Sequence, residues 1–186
     1  MLEFLSDLDW WSLFVQLIGV FAATIGILSY QQKDRKKIIL WQVVNNVLWT
    51  VHMFLLGAFA GGCLNLIGIF RGTVFYYRVD QKWAQSKLWY AVILALIAAV
   101  TAYSITQDGL IALLPMVGMV CTTFSLALAN PFHVRVLSFF SSPCWLIYNI
   151  INGSIPGICT EIFVMCSIIL GILRIDLPKL RQQQKN

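Results

Sequence analysis

Three ionisable side chains stand inside strongly apolar stretches of this chain: His52, Arg71 and Glu161. Such groups are costly in an apolar surrounding, so they face a partner or a watered cavity. Two polar–aromatic stripes accompany them. Asn45, Trp49 and His52 are spaced by four and three residues, and Ser141, Trp145 and Tyr148 repeat that spacing. Spacings of three and four share one helical face. Two indoles with amides and hydroxyls a turn away would form an aromatic cage. The flat faces suit the C–H surface of a sugar or the ring of a nucleoside or vitamin, and the amides would fix its orientation. The same residue types also serve as polar glue between helices. Asn65, Asn149, Arg71 and Glu161 complete the candidate binding set.

The ionisable groups have plainer readings too. His52 is expected to be hydrogen-bonded, although a histidine in this position can also sense pH. Glu161 lies near one end of its apolar stretch and can reach rim water. Arg71 can snorkel to an interface. Asn65 and Arg71 are six residues apart, about 600° around a helix, and do not share a face cleanly. A direct Arg71–Glu161 bridge is therefore not required. The five cysteines, Cys63, Cys121, Cys144, Cys159 and Cys166, have no metal-ligand spacing and read as small packing residues. The sequence offers no nucleophile–base constellation and no phosphate loop, so neither enzymatic chemistry, a cofactor nor a metal is expected.

The elements that hold these residues follow from composition. Of 186 residues, 59% are hydrophobic and 11% charged, and the mean hydropathy is +0.78. A soluble domain carries roughly 25% charged residues, so this chain is expected to be an integral membrane protein contacting lipid. A spanning helix needs about 20 apolar residues. Seven stretches qualify: Trp11–Tyr30, Ile38–Leu56, Ala60–Tyr77, Leu88–Ile105, Leu110–Ala129, Val134–Ile151 and Gly157–Arg174. They leave no room for a soluble domain. The first has no basic leader and reads as a retained helix. With connectors on alternate sides, Lys33, Arg35, Lys36, Lys37, Arg78, Lys82, Lys87, Arg135, Arg174, Lys179, Arg181 and Lys185 fall on one side, opposite Glu3, Asp7, Asp9 and Asp108. The positive-inside rule then puts the N-terminus outside and the C-terminus in the cytoplasm. The net charge of +5 is a topology signal and not a nucleic-acid footprint. Trp10, Trp11, Trp83 and Trp89 lie near span ends and read as interfacial anchors.

Sliding the chain by 96 residues lays Trp49 on Trp145, Gly57 on Gly153, Gly61 on Gly157, Arg78 on Arg174 and Asp80 on Asp176 without a gap. The segment NNVLWTVHMFLLGAFAGG then overlies SSPCWLIYNIINGSIPGI. Two three-helix repeats are expected, at 11–78 and 107–175, joined by a linker helix at 79–106 and followed by a cytoplasmic tail at 176–186, all in one membrane domain. An odd number of helices plus one linker gives both copies the same orientation. Parallel repeats of this kind place a substrate site between the halves near the midplane.

This plan, three helices plus one plus three with the N-terminus outside, resembles the SWEET, PQ-loop and PnuC superfamily. Within it the chain more closely resembles the bacterial inner-membrane YgjV family. The segments that carry this are LLPMVGMVCTTFSLAL at 113–128 and CWLIYNIINGSIPGICTEIF at 144–163, with Trp145, Tyr148-Asn149, Gly153-Ser154-Ile155 and Glu161 in order, and Arg71 in the third span. The Asn45–Trp49 spacing is also similar to a motif of PnuC vitamin facilitators. The resemblance implies an all-α fold, a bacterial inner-membrane location and helix prolines acting as hinges. The chain departs from the SWEET pattern. Tyr30-Gln31-Gln32 stands where the Pro-Gln would be, and only the second copy has the helix prolines, Pro115 and Pro143, opposite Gly19 and Val47. Two functions are compatible with these residues: a facilitator for a small polar solute, sugar-like or vitamin- or nucleoside-like, and a non-transporting receptor or partner subunit that keeps the fold. Relatives in the superfamily imply a possible homo-oligomer.

Overall fold

A computed structural model describes residues 9–30, 35–78, 80–125, 131–176 and 178. Among these residues the chain is all helical, with no strand. The helices are α1 (Trp10–Tyr30), α2 (Arg35–Leu55), α3 (Phe59–Tyr77), α4 (Leu88–Asp108), α5 (Leu113–Ser125), α6 (Pro131–Ile151) and α7 (Ile155–Gly171). Short 3-10 turns at Lys82–Gln85 and Gly109–Ala112 flank α4, and a π turn at Ile172–Asp176 ends the last helix. Pro143 lies within α6 and leaves the Phe139 carbonyl without its usual intrahelical donor.

Among the described residues four stretches are long and apolar enough to cross a membrane: Trp10–Leu28, Phe59–Tyr77, Leu88–Ser125 and Ile155–Arg174. The third has 38 residues, about 57 Å if straight, nearly twice a hydrocarbon core of about 30 Å. It folds back at Gly109, whose φ is +67°, so that Ile93 and Ile97 share a core with Met119. The apolar parts of α2 and α6, Ile39–Leu55 and Val136–Ile151, are shorter, because charged residues stand at the start of each helix, Arg35, Lys36 and Lys37 in α2 and Arg135 in α6.

The helices pack in a closed order. α2 lies against α1 and α3, α6 against α5 and α7, α1 meets α7, and α3 meets α5. Exchanging α1 with α5, α2 with α6 and α3 with α7 maps every one of these contacts onto another. α4 stands outside this ring, against α3 and α5. Its Ile93 and Ile97 join Leu64, Ile67, Val74 and Phe75 of α3 and Met119 of α5 in the larger core.

The two tight turns are built alike. Leu56, Gly57 and Ala58 amides donate to the carbonyls of His52, Phe54 and Met53; Asn152, Gly153 and Ser154 amides donate to those of Tyr148, Ile150 and Asn149. Each bond has its twin 96 residues on. Gly57 and Gly153 sit at φ +75° and +66°, the left-handed conformation that closes a helix C-terminus.

Large apolar side chains such as Phe14, Leu17, Phe21, Phe140, Phe163 and Leu170 are exposed, while Asn65, Thr123, Ser141, Ser142 and Asn149 are buried. An apolar exterior around a polar interior suits lipid as the solvent. At the end away from the two turns, Lys36 pairs with Asp80, and Arg78 stacks 5.2 Å from the Tyr90 ring. Tyr77, Trp83, Trp89 and Phe70 form a chain of ring contacts at the same end, the composition of an interfacial belt. Trp10 and Trp11 are exposed where α1 begins.

Candidate functional site

A cavity of about 600 Å³ lies between the helices. Eight of the ten sequence-selected binding residues line it: Asn45, Trp49, Asn65, Arg71, Ser141, Trp145, Asn149 and Glu161. Along α7 its wall runs from Gly157 to Ile168, about 16 Å at 1.5 Å per residue. It therefore begins just inside the two turns and extends towards the basic end.

The tryptophans set its midlevel. Ser141 Oγ donates to the Gly118 carbonyl on α5 at 2.9 Å. Gly118 has no side chain to keep the Trp145 ring away: a Cβ there would stand 2.5 Å from Trp145 Nε1. Trp49 and Trp145 each meet the next ring of their own stripe edge-on, His52 at 5.4 Å and Tyr148 at 6.2 Å between centroids. Glu161 comes in from α7, with the Ser142 hydroxyl of α6 beside its carboxyl group. One turn nearer the tight turns stands Asn149, beside Gly157, where a Cβ would meet its Oδ1 at 2.4 Å. Asn149 is 3% exposed, and its Oδ1 has no hydrogen-bond partner; neither has Asn45 Oδ1. Asn65 Nδ2 donates to the Gly61 carbonyl at 2.9 Å.

Arg71 lies six residues further along α3 than Asn65, about 9 Å deeper. Its Nη1 donates to the Thr123 and Thr122 hydroxyls of α5 at 2.9 and 3.2 Å. This fastens α3 to α5 at the deep end of the cavity. Although Asn65 and Arg71 are about 600° apart around the helix, both line the cavity, because its wall spans several turns.

His52 and Tyr148 lie outside the cavity lining, although their stripes pointed to the cage. Both are fully buried and consumed by bonds at the turn end. His52 Nδ1 lies 2.8 Å from the Val15 carbonyl of α1, and Nε2 lies 2.7 Å from Ser154 Oγ. A carbonyl only accepts, so Nδ1 carries a proton. Ser154 Oγ accepts from the Gly157 amide, so its own proton is free for Nε2, and a neutral imidazole satisfies every group. Tyr148 makes the twin connection. Its Oη accepts from the Gly61 amide at 2.9 Å and donates to Asp108 Oδ2 at 3.0 Å. Asp108 Oδ2 also accepts from the Ala60 amide at 2.7 Å. α3 starts at Ala58, which has no capping side chain, whereas α7 starts at Ser154, which caps itself. Asp108 and Tyr148 thus cap α3 from outside. Each middle helix reaches the start of the third helix of the other half, and the cavity is closed at that end.

Pro115 is buried in the first turn of α5 and Pro143 lies within α6; neither lines the cavity. Sequence reasoning missed Asn46, Ser138, Ser142, Thr160 and Ser167, which also line it. Ser138 and Ser142 extend the Ser141 stripe by one turn, a signal present in the sequence. Asp108 was read only as an external charge. Among the described residues no group of three or more His, Cys, Asp or Glu side chains is placed to hold a metal.

An apolar helical shell around a closed-ended cavity, lined by aromatic and aliphatic side chains with a few asparagines, serines, Arg71 and Glu161 among them, defines a multi-helix membrane protein with an internal site. The family model for Imp-YgjV, a bacterial inner membrane protein, matches residues 13–179, and the chain belongs to that family. It is 27% identical over 146 residues to inner membrane protein YgjV of Escherichia coli (strain K12), covering 78% of this chain and 75% of the relative. No solved structure matches. The protein is thus a bacterial inner-membrane protein.

Proposed function

We propose that the protein is a facilitator moving a small polar solute, sugar-like or vitamin- or nucleoside-like, through the cavity between two three-helix halves. The reading is a SWEET-like arrangement of seven spans, three plus one plus three, with the N-terminus outside and the C-terminus in the cytoplasm. The observation that carries it is the cavity itself, mostly apolar with a few polar groups set into it, walled by Trp49 and Trp145 from equivalent positions and closed at one end. A cage held shut at the turn end and reaching about 16 Å towards the basic end is what one state of an alternating-access carrier requires. The twin turns 96 residues apart and the exchange pattern of helix contacts support the parallel repeat. The basic residues gathered at the far end support the orientation under the positive-inside rule. No catalytic role is assigned to any residue.

The test is solute flux in proteoliposomes containing the purified protein, against a panel of sugars, nucleosides and vitamins. Trp49→Ala and Trp145→Ala are each expected to abolish flux with the fold retained. Normal flux in both would overturn the reading. A folded protein that moves none of the panel would assign the cavity to a receptor or partner subunit.

A further inference from the structure

The cavity's chemistry is one-sided, and this narrows what it holds. At and around the tryptophan level the buried polar atoms of the lining left without a partner are both acceptors, Asn45 Oδ1 and Asn149 Oδ1, and the rings offer π faces. Glu161 brings a carboxyl group, and among the described residues no Lys, Arg or His lies within ion-pair distance of it. Asn149 Oδ1, on a side chain 3% exposed, and Asn45 Oδ1 are buried acceptors with no donor of the protein's own. Such orphaned acceptors are uncommon and point to a missing partner. The faces of Trp49 and Trp145 attract cations through the ring quadrupole. The nearest cations are withheld. The imidazole of His52 is enclosed by Val15 and Ser154, and the guanidinium of Arg71 is held by Thr122 and Thr123, about 9 Å deeper than Asn65 on α3. A carboxylate in such a site needs a counter-charge, and the two orphaned amide oxygens around it need a donor.

We infer that the solute carries a cationic amine or an equivalent positively charged nitrogen, which seats against Glu161 between the two indoles, while further donors of the solute reach Asn149 on one side of that level and Asn45 on the other. This rests on the cavity being the binding site for a transported solute, and it selects within the sugar-like and vitamin-like classes those members that bear an ammonium group. A neutral hydroxyl in its place would satisfy an asparagine and leave Glu161 without its counter-charge.

The experiment uses matched pairs differing by an amine in place of a hydroxyl: glucosamine and glucose, pyridoxamine and pyridoxine, tyramine and its alcohol analogue tyrosol. Binding to the full-length protein in detergent is read by calorimetry up to 10 mM, and flux is read in proteoliposomes. The expected result is at least ten-fold tighter binding of the amine in one or more pairs. Glu161→Gln, which keeps size and hydrogen bonding, is expected to bring that ratio to about one. Ser142→Ala, which removes only the hydroxyl beside Glu161, is expected to preserve the preference for the amine. Equal binding within every pair, a preference that survives Glu161→Gln, or no binding by any member would overturn the inference. The two readings fail separately. Neutral members that cross the bilayer without amine preference leave the facilitator standing and remove the amine. Amines that bind selectively and never cross leave the amine site standing and remove the facilitator.

Discussion

Tyr148→Phe tests the connection between α6 and the start of α3 with the ring left in place. The substitution removes the hydroxyl that accepts from the Gly61 amide at 2.9 Å and donates to Asp108 at 3.0 Å. The Gly61 amide is then a donor without a partner at a fully buried contact, and a bond to a carboxylate is lost. An orphaned buried donor costs about 1–3 kcal/mol and a bond to a charged group contributes about 1.5–3, so a loss of about 2.5–6 kcal/mol is expected. The other turn supplies a rescue. Ala58 and Ser154 occupy the same conformation, φ −79° and ψ 74° against φ −82° and ψ 89°, and Ser154 Oγ caps its helix by accepting from Gly157. Ala58→Ser therefore places a hydroxyl where it can take the Gly61 amide. In the Tyr148→Phe background it is expected to restore about 1 kcal/mol, the usual magnitude of an N-cap. In the parent the amide is already occupied, so the gain is near zero. A double-mutant cycle by reversible unfolding in mixed micelles measures this difference. Equal effects of Ala58→Ser in both backgrounds, or a Tyr148→Phe protein as stable as the parent, would refute the shared-cap argument.

Three further outcomes follow from single positions. Gly118→Ala puts a Cβ 2.5 Å from Trp145 Nε1; it is expected to cost about 1–3 kcal/mol as an overpacked site and to impair flux, whereas Gly26→Ala, with its nearest atom at 3.4 Å, retains stability. Gly57→Ala and Gly153→Ala force positive φ on an L side chain and are each expected to lose about 1–2 kcal/mol, read in the same unfolding assay. Asp9 accepts from the Ser12 amide at 2.8 Å, and bonds from Ser12 hold its carboxyl below the ordinary value; its stabilisation is present above the ordinary Asp pKa of about 3.9 and is lost as pH falls through the lower folded value. Asp9→Ala is expected to remove that part of the acid dependence of stability, and an unchanged pH profile would show that Ser12 does not depend on the charge.

Much of the cavity was legible because it is written in helical period. Asn45 and Trp49, and Ser141 and Trp145, are spaced so that any helix presents them on one face, and the offset of 96 residues brought the two faces together before any contact was known. The same period could not place His52 and Tyr148. They continue the stripes by three residues, but the stripe does not say where the cavity ends. That is decided by the turns that follow: Ser154 and Gly61 arrive within bonding distance of the two rings and draw them out of the cavity into its closure. Asp108 was illegible for a related reason. Its role as a cap exists only because Ala58 lacks the hydroxyl that Ser154 has, and a capping defect in one helix carries no signal in the helix that repairs it.

The departures from the repeat are as informative as the matches. Arg71 falls opposite Ser167, Thr122 opposite Gly26 and Thr123 opposite Ile27. Where α3 meets α5, the deep end of the wall is therefore fastened by a guanidinium on two hydroxyls and backed by the apolar core that α4 shares with both helices. Where α7 meets α1, the equivalent level holds small and apolar residues. At the turn end of that seam Gln16 Nε2 donates to the Gly153 carbonyl, while Gly26, Ile27, Ser167 and Ile168 line the cavity. Two seams that the repeat alone would make equal are thus built from different residues at this level. Under the proposed function, access at the basic end is expected through the α1–α7 seam, with α3, α4 and α5 as the fixed side. A crosslink between cysteines introduced at Ile27 and Ile168, in a background freed of the native cysteines, is then expected to stop flux. A crosslink between α3 and α5, at Ile67 and Met119 of their shared core, is expected to be tolerated. Flux lost in the second protein and kept in the first would show that the α3–α5 seam is the one that moves.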